Sequence, residues 1–243
     1  MSGHSHWSSI KHKKGAEDAK KGKIFSKFSR LISVVAREKG GNPETNSELK
    51  IAIDKAKSFN MSQDKIERAI KKGTGEIEGS VFKSLLLEGL GPQGVAIIIE
   101  ALTDNKNRTI SEIRHILDIS GGKLASGGVL WMFKKKGIIE IKKSDFKEGD
   151  KQKEEIEMIA IDLGAEDIKD KEDILEIYVR PDDFVKIKNE FENAKIKVLN
   201  AVFSWEPKEE IVIEEKTKDK IKKLFNLLGD HEDVQEIYSN MKN

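Results

Sequence analysis

The chain of 243 residues contains no cysteine. That excludes a disulfide framework, a thiolate metal site and a thiol nucleophile, and makes a reducing cytoplasm the expected location. Aromatic residues are only 6% and prolines number four, so any core must be built from Ile, Leu and Val. The longest apolar runs, VAIII (Val95 to Ile99) and VLWMF (Val129 to Phe133), fall far short of the ~20 residues that span a bilayer. No membrane partner is expected. No apolar segment follows the basic start, and Glu17 and Asp18 interrupt its positive charge. Neither a secretory signal nor a transit peptide is therefore expected.

Net charge is also nearly absent, at +1, but the balance is uneven along the chain. Residues 1–75 carry 17 Lys/Arg against 8 Asp/Glu, and residues 76–243 carry 27 against 35. The first third can attract a polyanion that the remainder, on average, repels. A surface charged for solubility alone has no need of such sorting.

What is present is periodic. From Lys20 to Lys39, Ile24, Phe25, Phe28, Leu31, Ile32, Val35 and Ala36 recur at helical spacing, preceded by an arm reaching to about Ala19. Thr45 and Glu48 form a capping box before a second helix with Leu49, Ala52, Ile53 and Ala56. Ser62 caps a third helix, with Ile66, Ala69 and Ile70, which Gly73 ends. Beyond residue 80 the pattern turns to alternating strands and helices. LLLEGL and VAIIIEALT flank a Gly/Pro turn, and Thr109 with Glu112 caps a helix. Strand character returns at 129–133, 137–143, 166–170, 174–179, 197–205, 209–214 and 234–238, with helices near 150–163, after Pro181 and over 216–229. Residues 137–205 spell β-α-β-β-α-β, as do 94–133 and 209–238 when joined.

The expected fold class is α+β and multidomain: an N-terminal three-helix domain followed by two ferredoxin-like α/β sandwiches, the second inserted in the first. The domains expected are 1–79, 80–134 with 207–243, and 135–206. Two tandem domains cut near residue 135 are the alternative.

Few residues suggest chemistry. GLGPQG (Gly89 to Gly94) has the dinucleotide-binding spacing, but a β-run follows where a phosphate-binding helix is needed, so we read a hairpin turn. His4, with a terminal amine exposed by removal of Met1, could wrap Cu(II) or Ni(II), yet no further ligand spacing fixes a metal site. His115 and His231 stand without a partner pattern, so no acid–base or nucleophilic constellation emerges. No enzyme activity, cofactor, metal or small-molecule substrate is expected.

The basic stripe points to nucleic acid instead. At ~100° per residue, Lys20, Lys23, Lys27, Arg30 and Arg37 share one arc of the first helix. Lys11, Lys13, Lys14 and Lys21 extend it upstream. Such a row neutralises successive phosphates, while Trp7 and the histidines offer rings that stack on bases. TDNKNRT (Thr103 to Thr109) is a second candidate, with Asn105, Asn107 and Arg108 at a helix start that favours anions. Asx turns tying the loop to its own backbone explain it equally well.

Several motifs together resemble the YebC/PmpR family: GHSHWSSIKHKKGAEDAKKGKIFSKFSR, IAIDKAKSFNMSQDKIERAIKKGTGE (51–76), LEGLGPQGVAIIIEALTDNKNRTISEIRHIL (87–117), GGVLWMF (127–133) and the turn from Trp205 to Pro207. His4, Trp7 and the NxNRT residues are motif positions of that family. The resemblance implies one helical and two α/β domains without enzymatic activity. It also implies one of two roles, a DNA-binding transcriptional regulator or a ribosome-associated translation factor, a group that includes mitochondrial translational activators. We therefore expect a nucleic-acid-binding regulator of gene expression, with ribosomal RNA on the ribosome favoured because no base-reading helix is evident. DNA is the alternative target. A protein–protein adaptor whose basic arm meets an acidic partner is the alternative of another class.

Overall fold

The computed structural model describes residues 18–146 and 150–242. Three helices come first: α1 (Asp18–Lys39), α2 (Ser47–Ser58) and α3 (Gln63–Thr74). Their apolar stripes meet in one core formed by Phe28, Ile32, Leu49, Ala52, Ile66 and Ala69, among others. α1 and α3 run parallel. The Lys65 ammonium stands 4.9 Å from the Phe25 ring centre, and further along the Ser33 hydroxyl donates to the Ala69 carbonyl at 2.7 Å. Gly73 does not end α3; it lies inside the helix, which closes on Gly75 in the left-handed conformation (φ 84°). At Gly73 the two helices touch, since an added Cβ would run into the Ser33 carbonyl oxygen and the Ala36 methyl.

The caps also differ from expectation. Asn46 rather than Thr45 caps α2 by accepting from the Leu49 N–H. The helix that begins at Lys106 is likewise capped by Asn105 rather than Thr109. Each asparagine sits in extended backbone one turn ahead of the amide it accepts from, the arrangement an N-cap requires.

The remaining elements are β1 (Lys83–Leu90), β2 (Ala96–Thr103), α4 (Lys106–Ile119), β3 (Lys123–Ala125), β4 (Phe133–Lys142), α5 (Asp150–Asp162), β5 (Asp167–Asp170), β6 (Ile174–Val179), α6 (Phe184–Asn193), β7 (Val198–Pro207), α7 (Glu215–Asp230) and β8 (Val234–Ser239). They form two four-stranded sheets, ordered β3-β1-β2-β8 and β5-β6-β4-β7. The chain divides into two compact units: residues up to Lys134 together with those from Glu206 onward, and Lys135–Trp205.

The second sheet has the ferredoxin-like order for the run β4-α5-β5-β6-α6-β7. The first is ordered differently along the chain, β3-β1-β2-β8. Its strand beside β2 and β3 is β1, which precedes them in the chain and pairs with β2 through the hairpin Lys83↔Thr103 to Leu90↔Ala96. GLGPQG spans the hairpin, its turn closed by the Gly91 N–H donating to the Val95 carbonyl at 2.8 Å. α4 and α7 cover one face through Ile113, Leu117, Ile221, Leu224 and Leu228.

Two expected strands are absent from this sheet. VLWMF (129–133) turns through a short 3-10 segment, Leu130–Met132, before β4 begins. The Glu88 carboxylate accepts the Val129 and Leu130 N–H groups at 2.6 and 2.7 Å, so those donors are not available to a ladder. EEIVIE (209–214) contributes a single parallel bridge, Ile211 to Met241.

The Gly73 contact supports a prediction with a diagnostic sign. Alanine inside a helix ordinarily stabilises by about 0.5–1 kcal/mol over glycine. Gly73→Ala should instead destabilise by about 1–3 kcal/mol, the range for overpacking, as read from the urea midpoint.

Candidate nucleic-acid interface

The middle of the cationic arc of α1 faces inward. Lys27 is only 5% exposed, and its Nζ donates to the Gly229 carbonyl at the end of α7 at 2.7 Å. Arg30 donates to the Asp233 Oδ1 at 2.6 Å and to Glu232 at 3.0 Å, and Arg37 reaches the Phe82 carbonyl at 3.0 Å. On α2, Lys55 pairs with Glu236 of β8 at 3.1 Å. Lys27 and Arg30 are thereby removed from the expected nucleic-acid contacts. Both point at the end of α7 and the turn into β8, where carbonyl and carboxylate oxygens hold them.

The TDNKNRT segment meets the same joint from the sheet side. Asn105 spends its side chain on the Arg108 N–H as the α4 cap, and the Thr103 hydroxyl accepts the Asn105 N–H at 2.9 Å. Arg108 donates to Asp104 and to the Asp233 Oδ2, and the Thr109 hydroxyl donates to that same oxygen at 2.6 Å. Asp233 is almost wholly buried, at 2% exposed, and thus holds two guanidinium groups and a hydroxyl. Of the two explanations for this segment, the structure shows Asn105 and Arg108 in structural contacts. Asn107 is exposed on the first turn of α4.

Charge chemistry follows from burial. Removal from water alone would raise the Asp233 pKa. The hydrogen bonds from Thr109 and Arg108, with the charges of Arg30 and Arg108, outweigh it and hold the carboxyl below its ordinary value. Burial pushes the Lys27 ammonium down to about 8, against the raising effect of Glu236 and Asp230. His231 completes the cluster: its Nδ1 accepts the Asp233 N–H at 3.1 Å, so its Nε2 carries the proton directed at Glu112, 2.9 Å away. Glu112, His231 and Asp233 present potential metal ligands within 4.8 Å of one another. Yet the Asp233 oxygens already face two arginines, whose charge would oppose a divalent cation there.

The cations that face solvent lie elsewhere. Lys21 and Lys23 are exposed at the start of α1, and Lys65, Arg68 and Lys72 share an arc of α3, with Lys71 beside it. The regional charge balance also hid a row on α7, where Lys216, Lys220 and Lys223 recur at four- and three-residue spacing on the exposed side. Both rows could be found only by asking which helix faces are buried. His4, Trp7, Lys11, Lys13 and Lys14 lie outside the described residues, as does the Lys20 side chain. Among the described residues, no helix is long and apolar enough to cross a membrane.

The fold and this surface define an α+β protein in which a helical bundle is fastened to a sheet by buried charge pairs and carries further cations outward. Comparison with known proteins gives the family. Residues 5–76 match the TACO1/YebC protein N-terminal domain, and residues 82–241 match the TACO1/YebC second and third domain. The chain belongs to the TACO1/YebC family. A Thermotoga maritima protein named "Probable transcriptional regulatory protein" is 49% identical over 100% of this chain and 94% of its own length. A Halothermothrix orenii protein of the same name is 48% identical over 99% and 94%. The crystal structure of a conserved hypothetical protein from Aquifex aeolicus has a TM-score of 0.84 and 43% identity, covering 98% of this chain and 97% of that one.

Three variants test the joint. Asp233→Asn leaves Arg30 and Arg108 facing an uncharged group, and should cost about 3 kcal/mol of unfolding free energy, typical of a broken buried pair. Arg108→Ala should also lower the melting temperature, but by less, because Arg108 is half exposed. For Lys27, the folded state disfavours the proton that the unfolded chain holds up to its usual 10.5. Stability should therefore rise with pH between about 8 and that value. Lys27→Met should lose this slope in urea titrations across the window.

Proposed function

We propose that this protein is a non-enzymatic regulator of gene expression that binds nucleic acid, with ribosomal RNA on the ribosome as its target. The observation that carries this is the outward charge of the helical region. After Lys27, Arg30 and Lys55 are committed to the sheet, Lys21, Lys23, Lys65, Arg68, Lys71 and Lys72 still face solvent. The parallel packing of α1 and α3 sets the start of both helices at one end, with Lys20 in the first turn of α1 and Lys11, Lys13 and Lys14 preceding it in the chain. His4 and Trp7 on that segment would stack on bases, and the lysines would take phosphates. Arg37 and Asn107, both exposed, would make peripheral contacts.

A regulatory role is supported by the names of the relatives. RNA is favoured over duplex DNA by one feature. α1, the helix with the longest cation row, lies against the sheet domain and is not presented for insertion into a major groove. A DNA-binding transcriptional regulator is the second reading, supported by those same names. An enzyme is disfavoured by where perturbed groups sit: Lys27, Asp233 and Tyr238 are buried in packing joints rather than gathered in a cleft.

The test is retention of partners on the full-length protein after RNase or DNase treatment, followed by co-sedimentation with ribosomes. Loss under RNase alone supports RNA, and loss under DNase alone supports DNA. Partners that survive both nucleases would instead establish the adaptor. The triple variant Lys65→Glu, Arg68→Glu, Lys72→Glu should keep its fold, since these side chains are exposed. It should weaken RNA binding at least about tenfold and reduce the salt slope by about 2.

A further inference from the structure

Trp131 is the most exposed large aromatic side chain among the described residues, at 68%. An indole left in water forfeits a large burial gain, so its setting matters. It is not on a loose loop. Glu88 of β1 accepts the N–H groups of Val129 and Leu130, and the Lys208 N–H donates to the Met132 carbonyl at 2.8 Å. Val129 and Phe133, on either side of the turn, are buried at 2% and 4%. The backbone beneath Trp131 is therefore pinned from both directions, while the ring points outward. Gly127 and Gly128 precede the turn at φ 127° and 89°, and a Cβ on either would meet nothing within 4 Å. The approach to the turn from that side is open.

The surroundings specify the partner. Lys208 stands over the ring at 6.0 Å from its centre, and Lys134 is exposed just beyond Phe133. Leu130 and Met132, the chain neighbours, are half-buried and add little to an apolar patch around the ring. A protein hot spot requires such a patch to exclude water around its anchor. A single exposed ring with an ammonium group over it has the composition used to hold unpaired nucleotides, with the base on the aromatic face and a phosphate on the cation.

We propose that Trp131, with Lys208, is a stacking site for an unpaired base of single-stranded RNA, separate from the basic helical region. This rests on the nucleic-acid reading above. In the full chain, titration with a single-stranded oligoribonucleotide should quench the emission component that the parent has and Trp131→Phe lacks. A duplex of equal length should leave that component unquenched. Trp131→Ala should weaken single-strand binding about tenfold, Trp131→Phe should recover most of it, and both should melt at the parental temperature.

Single-strand binding at parental affinity by Trp131→Ala, or equal quenching by the duplex, overturns the stacking site while leaving the function standing. Binding of neither nucleic acid by the parent overturns the function itself. Loss of a protein partner from nuclease-treated Trp131→Ala, with RNA affinity unchanged, replaces the proposal with a protein contact.

Discussion

The structure depends on one buried negative charge. Asp233 lies between the end of α7 and β8, where a lone carboxylate would be costly to remove from water. Arg30 from the helical region and Arg108 from α4 approach its two oxygens, and Thr109 supplies the remaining donor. The two arginines divide the carboxylate between them, one at each oxygen, so losing either removes a charged donor from a buried acceptor. This pairing sets how the bundle meets the sheet. It also accounts for the TDNKNRT segment: the asparagine cap and the threonine pair hold Arg108 and Thr109 where Asp233 needs them.

The same pairing changes how the basic stripe is understood. A row of cations along a helix suits phosphates, and it suits a row of carbonyls and carboxylates equally well. On α1 the inward partners win at Lys27 and Arg30, because a fixed partner inside the chain demands no further loss of translational freedom. The cations remaining outside lie on α3, at the start of α1 and on α7. A stripe read from spacing therefore marks a charged face, and only its neighbours determine whether that face meets solvent.

Much of the fold is legible in the residues. ILEIYV, apolar except at Glu176, marks β6 at its true bounds, Ile174–Val179, and the 216–229 periodicity locates α7 to within a residue at each end. The α+β class follows from such elements. The failures share one cause. VLWMF has strand composition, yet Glu88, some forty residues earlier, takes its backbone donors. Thr45 and Thr109 resemble caps, yet an asparagine near each reaches the helix amides instead. Gly73 resembles a stop, yet it serves as a contact with α1. Each outcome depends on a partner distant in the chain or on backbone angles that composition does not specify.

The sequence by itself determined most of the helices and strands, that the cores are aliphatic, and that positive charge gathers in the first third. These are local properties, set by side-chain periodicity and counted along the chain. Only the tertiary structure decided that β1 rather than 129–133 fills the first sheet, that Lys27 and Arg30 are spent inside, and that Trp131 is left outside. Those outcomes arise from which groups become neighbours on folding, because desolvation and hydrogen bonding act through space rather than along the chain.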